Sequence, residues 1–174
     1  TAQQWMPEIL DQKPDIVVGL FHSGWDKRDV ENGRARPLDE NGSAAVAWNI
    51  PGFDIIFTGH DHRTANEKFI NRVGDTVLIL NGGSRSENLA VADIKITKRH
   101  GKKPEKRISG NLVSVAGFKS DIDFIEKFSE QNLAVTRYVN KVIGNSLSTA
   151  SSRDAYFGSS AFIDLIHKIQ LDIT

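Results

Sequence analysis

Two histidines two positions apart, in Gly59-His60-Asp61-His62, follow directly on a short apolar run, Phe53-Asp-Ile-Ile-Phe-Thr58. Side chains two positions apart on an extended chain point the same way, so both imidazoles can face one ligand. Gly59 has no Cβ and lets the backbone turn sharply or approach a ligand closely. Neutral imidazole binds zinc, manganese-like and iron-like ions. The same grammar occurs upstream, where the apolar run Asp15-Ile-Val-Val-Gly-Leu-Phe21 ends at His22-Ser-Gly-Trp-Asp26. Taken alone, His22 reads as a packed or hydrogen-bonded residue. Its parallel with His60 makes it a candidate ligand, because two strand ends in one sheet bring their histidines together. The competing reading of residues 59–62 is a surface turn with solvated imidazoles.

Other residues carry weaker signals. Asp61, between the paired histidines, and Asp26, after the first, are each able to orient an imidazole. Arg63 is able to meet a phosphate oxygen. For Asp26 and Arg63 the solvated loop charge is the preferred reading. His100 sits among Lys98, Arg99, Lys102 and Lys103 and reads as part of a solvated hairpin tip. His167, near Phe162, Leu165 and Ile166, reads as structural. There is no Walker-type glycine loop and no Gly-x-Ser-x-Gly elbow, and Ser23 and Ser84 lack a triad context, which argues against a serine hydrolase.

The elements that must position these groups are legible in outline. Residues 3–12 predict a short helix with Trp5, Ile9 and Leu10 on one side. The runs 15–21 and 53–58 predict short strands, the first buried on both faces, with functional groups at their carboxyl ends. Between them, residues 27–42 read as a surface loop and Ala44 to Trp48 as a brief helix stopped by Pro51-Gly52. From Asn66 to Thr97 the pattern turns to β, with a strand at Thr76–Leu80, a turn at Asn81-Gly-Gly-Ser84 and a strand at Leu89–Thr97. Lys98 to Arg107 holds six Lys or Arg and reads as a hairpin tip, returning through Leu112–Val115. Asp121 to Ile143 predicts one long helix, capped by Ser120 or Asp121 and ended by Gly144. The Ser-, Thr- and Gly-rich stretch 145–158 marks a linker, and a last helix spans roughly 160–171.

Composition narrows the classes. The chain has 174 residues, of which 39% are hydrophobic, enough to bury a core. Lys plus Arg and Asp plus Glu are both 22, so no charge excess argues for a nucleic-acid surface or an acidic tail. Cysteine is absent, which excludes disulfides and thiolate sites and leaves His, Asp, Glu or Asn as metal ligands. No apolar run is long enough to span a bilayer, and no signal peptide opens the chain. The polar start without Met reads as the middle of a longer polypeptide.

The segments 15–26 and Gly52-Phe-Asp-Ile-Ile-Phe-Thr-Gly-His-Asp-His62, with Asn81-Gly-Gly-Ser84 and Leu89–Ile96, resemble the calcineurin-like metallophosphoesterases. Within them the chain is most similar to the bacterial 5′-nucleotidase and 2′,3′-cyclic-nucleotide phosphodiesterase branch. Ser152-Arg-Asp-Ala-Tyr-Phe-Gly158 is similar to the entry into that branch's C-terminal domain. The resemblance implies an α/β fold, the C-terminal half of a four-layer αββα sandwich plus a connecting helix. Its parts are residues 1–119 in the phosphoesterase domain, 120–144 as the connecting helix and 145–174 as the start of a truncated C-terminal domain. It implies two divalent metal ions, Zn, Mn or similar, with His22 and His60 on one and His62 on the other. Two such ions about 3.5–4 Å apart clamp a phosphate and activate the water that attacks it. It also implies a nucleotide substrate and a periplasmic or cell-surface location. The chain departs from the family pattern in lacking the upstream Asp-x-His, bridging Asp and Gly-Asn-His, so the first half of the site is expected to be missing and this chain alone inactive. Ser159-Ser160 stands where relatives often carry Gly-Asn. No catalytic or substrate-binding residue is assigned. The alternatives are a non-catalytic binding or structural module with a remnant metal site, and a phosphodiesterase of other substrates.

Overall fold

The computed structural model describes residues 2–31, 40–101, 104–147 and 149–174. They divide into two compact units, Thr1–Lys119 and Ser120–Thr174.

The first unit is built on β-branched and leucine-rich runs, which suit a pleated, buried surface. β1 (Val18–Leu20), β2 (Ile55–Phe57) and β4 (Thr76–Gly82) are parallel neighbours, and β3 (Thr64–Ile70) pairs antiparallel with β4, giving the order β1-β2-β4-β3. Val18 stands beside Ile55, and Ile55 beside Leu78, so β1 and β2 end level with Leu80 and β4 runs on to Gly82. β4 is one of the two inner strands of this sheet and is buried on both faces. Its side chains alternate between two cores, as a strand's period of two requires. Val77 and Ile79 join Met6, Val17, Ala47, Phe53 and Ile56 on one face. Leu78 and Leu80 join Ile55 on the other.

Helices cover the first of these faces. α1 (Ala2–Asp11) buries Met6, with Ala2 packed beside it. The predicted face of α1 is therefore shifted: Trp5, Ile9 and Leu10 are 57%, 37% and 44% exposed, because the sheet meets the helix along the Ala2-Met6 side. α3 (Ser43–Asn49) contributes Ala47, and before it α2 (Arg28–Glu31) is a single turn inside the stretch read as loop. Within that stretch, residues 32–39 lie outside the described residues.

The second face is covered by a hairpin, β5 (Asn88–Thr97) and β6 (Glu105–Ser114), whose Ala90, Ala92 and Ile108 pack on the second core. β6 begins seven residues earlier than the strand expected at Leu112, since cross-strand pairing carries Lys106 and Arg107 into the ladder opposite Ile96 and Lys95. Gly110 allows the two sheets to meet: a Cβ there would lie 2.6 Å from Leu80 Cδ2. Asn66 Nδ2 donates to the Gly110 carbonyl at 2.8 Å, and Lys106 Nζ pairs with Asp54 at 2.9 Å, fastening hairpin to sheet. Of the basic cluster around His100, Lys98 pairs with Asp15 at 2.7 Å, while Lys102 and Lys103 lie outside the described residues.

The layers are thus helix, sheet, sheet: an α/β class as expected, with three of the four αββα layers among the described residues. β1 departs from its expected burial. Val17 and Gly19 face inward, but Val18 and Leu20 are 44% and 77% exposed, because β1 is the sheet's edge and the hairpin covers β2 and β4 rather than β1.

In the second unit the single helix expected over 121–143 is two, α4 (Ile122–Lys127) and α5 (Ser129–Val139). Asp121 caps the start as predicted, accepting from Phe124 N at 3.0 Å. The break falls at Phe128, where Ser129 Oγ donates to the Glu126 carbonyl and competes with the helical ladder. α5 ends at Asn140 rather than at Gly144. α6 (Ala161–Ile173) starts at Ser160, whose hydroxyl accepts from Phe162 N, and it carries His167 exposed. No helix among the described residues is long and apolar enough to cross a membrane.

Candidate metal centre

Because β1, β2 and β4 run parallel, the segments that leave their carboxyl ends meet at one edge of the sheet. These are His22–Asp26, Thr58–Arg63 and Asn81–Glu87. The strand-end hydrogen bonds interlock: Phe21 N donates to Phe57 O at 2.9 Å, Thr58 N to Leu80 O at 2.8 Å and Gly59 N to Ser23 O at 3.3 Å. The His22 and His60 rings stand edge to face, 5.4 Å between centroids. His62 lines the same open cleft of about 630 Å³ with them, together with Thr58, Asn81, Arg85 and Glu87. The three histidines expected to converge do line one cleft.

The backbone holds them in an unusual way. His60 and His62 have φ of 72° and 58°, the left-handed region that costs an L-residue of order 1–3 kcal/mol unless its surroundings enforce it. Between them, the Asp61 carboxylate accepts from Arg63 N at 3.1 Å, from Trp25 N at 3.0 Å and from Asn81 Nδ2 at 3.0 Å. Asp61 therefore binds backbone and amide donors, where the sequence had suggested an imidazole. Asn81, buried, passes the connection on by accepting from Gly83 N at 2.9 Å. Gly24 makes this approach possible, since a Cβ there would lie 1.9 Å from Asn41 Oδ1 and 2.9 Å from Asp61 Cβ.

The carboxylate near an imidazole is Glu40, absent from the sequence reading. Its Oε2 lies 3.2 Å from His60 Nε2. A carboxylate only accepts, so this contact places a proton on Nε2; in the neutral imidazole Nδ1 then keeps its lone pair. Asp26 is engaged elsewhere. The Arg28 guanidinium hydrogen-bonded to it holds its carboxyl down at about 2, against an ordinary 3.8. Arg63 lies beside Asp26 and Arg28 in an adjoining polar hollow that His60 also borders.

No family model matches the chain. A 2′,3′-cyclic-nucleotide 2′-phosphodiesterase/3′-nucleotidase from Haemophilus influenzae is 24% identical to it over 186 aligned positions, which take in 98% of this chain and 27% of that protein. Among solved structures, the calcineurin-like phosphoesterase YfkN from Bacillus subtilis superposes with a TM-score of 0.65 at 22% identity, over 80% of this chain and 44% of that one. The chain has the calcineurin-like phosphoesterase fold. It spans about a quarter of the length of the curated relative and under half of the solved structure.

A calcineurin-like phosphoesterase fold raises the question of whether these residues suit a metal. The donor types do: His22 and His60 are neighbouring imidazoles, and Thr58 Oγ1, on the cleft wall, is buried without a hydrogen-bond partner. The number of donors in one place does not complete a centre. Among the described residues, no group of three or more His, Asp or Glu side chains is gathered to hold an ion. The residues fit the histidine part of such a centre.

The sequence reading missed Glu40, Asn81, Arg85 and Glu87 as residues at this edge. Asn81 and its followers had a usable signal, since they end a third apolar run just as His22 and His60 end the first two. Glu40 had none, because a loop of polar residues separates it from His22 and only folding brings it to His60.

Proposed function

We propose that this chain is the histidine-bearing part of a metal-dependent phosphoesterase that hydrolyses nucleotide phosphate esters, the 5′-nucleotidase and cyclic-nucleotide phosphodiesterase class. The observation that carries this reading is the pair of facing imidazoles, His22 and His60, on adjacent parallel strand ends, with His62 in the same cleft. The likeness to a nucleotide phosphodiesterase supports the substrate class. A periplasmic or cell-surface setting goes with it.

In this proposal His22 and His60 hold one divalent ion and His62 a second, with the remaining ligands coming from polypeptide outside these residues. Bound ions of this kind supply Lewis acidity and a water acidic enough to act as nucleophile near neutral pH. The chain's own part is to present unprotonated imidazole nitrogens in a fixed direction. Glu40 contributes by keeping the His60 proton on Nε2. Arg85, lining the cleft, offers a guanidinium to phosphoryl oxygens.

A second reading, a non-catalytic module with a remnant site, draws on the absence of a three-donor cluster among the described residues. One set of assays separates the two. The 174-residue chain, given Mn2+ or Zn2+, is expected to turn over neither 2′,3′-cyclic AMP nor bis-p-nitrophenyl phosphate at a useful rate. Three imidazoles fall short of what two ions need, since each ordinarily takes about three or four protein ligands. A longer polypeptide containing this chain is expected to hydrolyse both and to lose at least about 100-fold activity in His60→Ala, the scale of a lost metal. Robust turnover by the 174-residue chain would overturn the partial-site reading. A longer, folded polypeptide that binds metal without turnover would favour the module.

A further inference from the structure

We propose that Asp61 is a positioning residue, whose carboxylate sets the spacing of the three histidines by tying the ends of β1, β2 and β4 together. The two oxygens divide the task. Oδ2 takes the backbone N–H of Trp25, three residues after His22. Oδ1 takes the N–H of Arg63, one residue after His62, and the side-chain amide of Asn81 at the end of β4. Asn81 then takes Gly83 N–H with its own oxygen, so the connection runs on into the cleft wall that carries Arg85.

Three features support a positioning role over an incidental salt-free turn. The bonds span 36 and 20 residues of sequence, so they join loops that no local turn connects. They converge on the residue between two left-handed histidines, a conformation that persists only where its surroundings over-determine it. The Asn81 side chain in the middle is 2% exposed, which makes an unmade bond there costly.

The polarity of the chain of bonds supplies a sharp test. In Asp61→Asn, every arrangement of the two amides leaves at least one donor facing a donor. In the double exchange Asp61→Asn with Asn81→Asp, the side-chain bond reverses. Asn at 61 keeps an oxygen for Trp25 N–H and donates its NH2 to the carboxylate at 81, whose second oxygen still accepts from Gly83 N–H. Only Arg63 N–H stays without an acceptor.

The experiment is amide hydrogen exchange and ring-proton NOE measurement on the full 174-residue chain, with Zn2+ titration alongside. In Asp61→Asn, exchange at Trp25, Arg63 or Gly83 is expected to speed up about tenfold or more and the His22–His60 ring NOE to weaken. Zn2+ affinity should fall by about 10–100-fold, the usual effect of removing a group that orients metal ligands. In the double exchange, Trp25 and Gly83 are expected to regain protection with the NOE and the Zn2+ affinity, while Arg63 does not. Wild-type exchange and NOE in Asp61→Asn would overturn the proposal. So would a double exchange that restores none of them, including the case in which Asp61→Asn fails to fold and the double exchange fails with it. The Zn2+ readout alone rests on the proposed metal function: a wild-type chain that binds no Zn2+ but shows the exchange and NOE pattern supports Asp61 as a positioning residue and counts against the metal reading.

Discussion

At the scale of single residues, the loops around the cleft are held by short-range charge contacts whose worth depends on pH. Asp26 receives the Arg28 backbone N–H at 3.0 Å and its guanidinium Nε at 3.0 Å. These bonds favour the ionised carboxylate and hold its pKa at about 2, below the ordinary 3.8. A pKa lowered by folding contributes stability that is full above the ordinary value and is lost as pH falls through the folded one. The contribution should therefore fade from about pH 4 to about pH 2. Arg28 is 78% exposed, so solvent screening limits the pair to about 1 kcal/mol or less. Urea midpoints at pH 6, 3 and 2 are the check. Asp26→Asn is expected to be less stable than wild type at pH 6, with most of that gap gone at pH 2. An undiminished gap at pH 2 would mean the pair has no such role.

At the scale of elements, the inner strands β2 and β4 carry the fold because both feed the two cores, β4 with two buried side chains on each face. Ile79 and Leu80 are fully buried on opposite faces. Truncating either to Ala removes buried methylenes and leaves a cavity, at a cost of about 2–5 kcal/mol. Leu20 on the edge strand β1 is 77% exposed, and Leu20→Ala in this chain is expected to shift stability by about 0.5 kcal/mol or less. Denaturant unfolding of the three variants compares them directly. Equal losses for Leu20→Ala and Ile79→Ala would show that the Leu20 side of β1 is covered after all. The same edge position explains why the apolar run 15–21 misled: continuous hydrophobicity signals burial on both faces only when another layer lies on each.

At the scale of the whole molecule, two compact units share one chain, and each has its own weak points. In the second unit the stretch after α5, residues 142–146, has no regular structure, and its neighbour Lys141 lies in a bend. Exposed, irregular backbone is where proteases cut first. Limited trypsinolysis should open the chain at Lys141 before it cuts at Lys68 or Lys95 inside the strands of the first unit. Early cleavage at Lys68 or Lys95 inside the strands, with Lys141 protected, would reverse the assignment of the stable unit.

What the sequence determined by itself was local: apolar runs short enough for strands, the histidines at their ends, the Asp121 cap and the helical character of α3 and α6. These follow from periodicity and from side chains acting on their own neighbours in the chain. The tertiary structure decided everything that depends on who stands beside whom. The parallel order β1-β2-β4 brings His22, His60 and Asn81 to one edge, although 59 positions separate the first from the last. Glu40 reaches His60, and Asp61 turns from its flanking imidazoles to Trp25 and Asn81, because hydrogen-bond partners are chosen by distance in space. At Phe128, where the helix breaks, the Ser129 hydroxyl takes the Glu126 carbonyl, a contact that apolar periodicity does not reveal. Spacing along a chain limits which groups are able to meet; only packing selects the pairs that do.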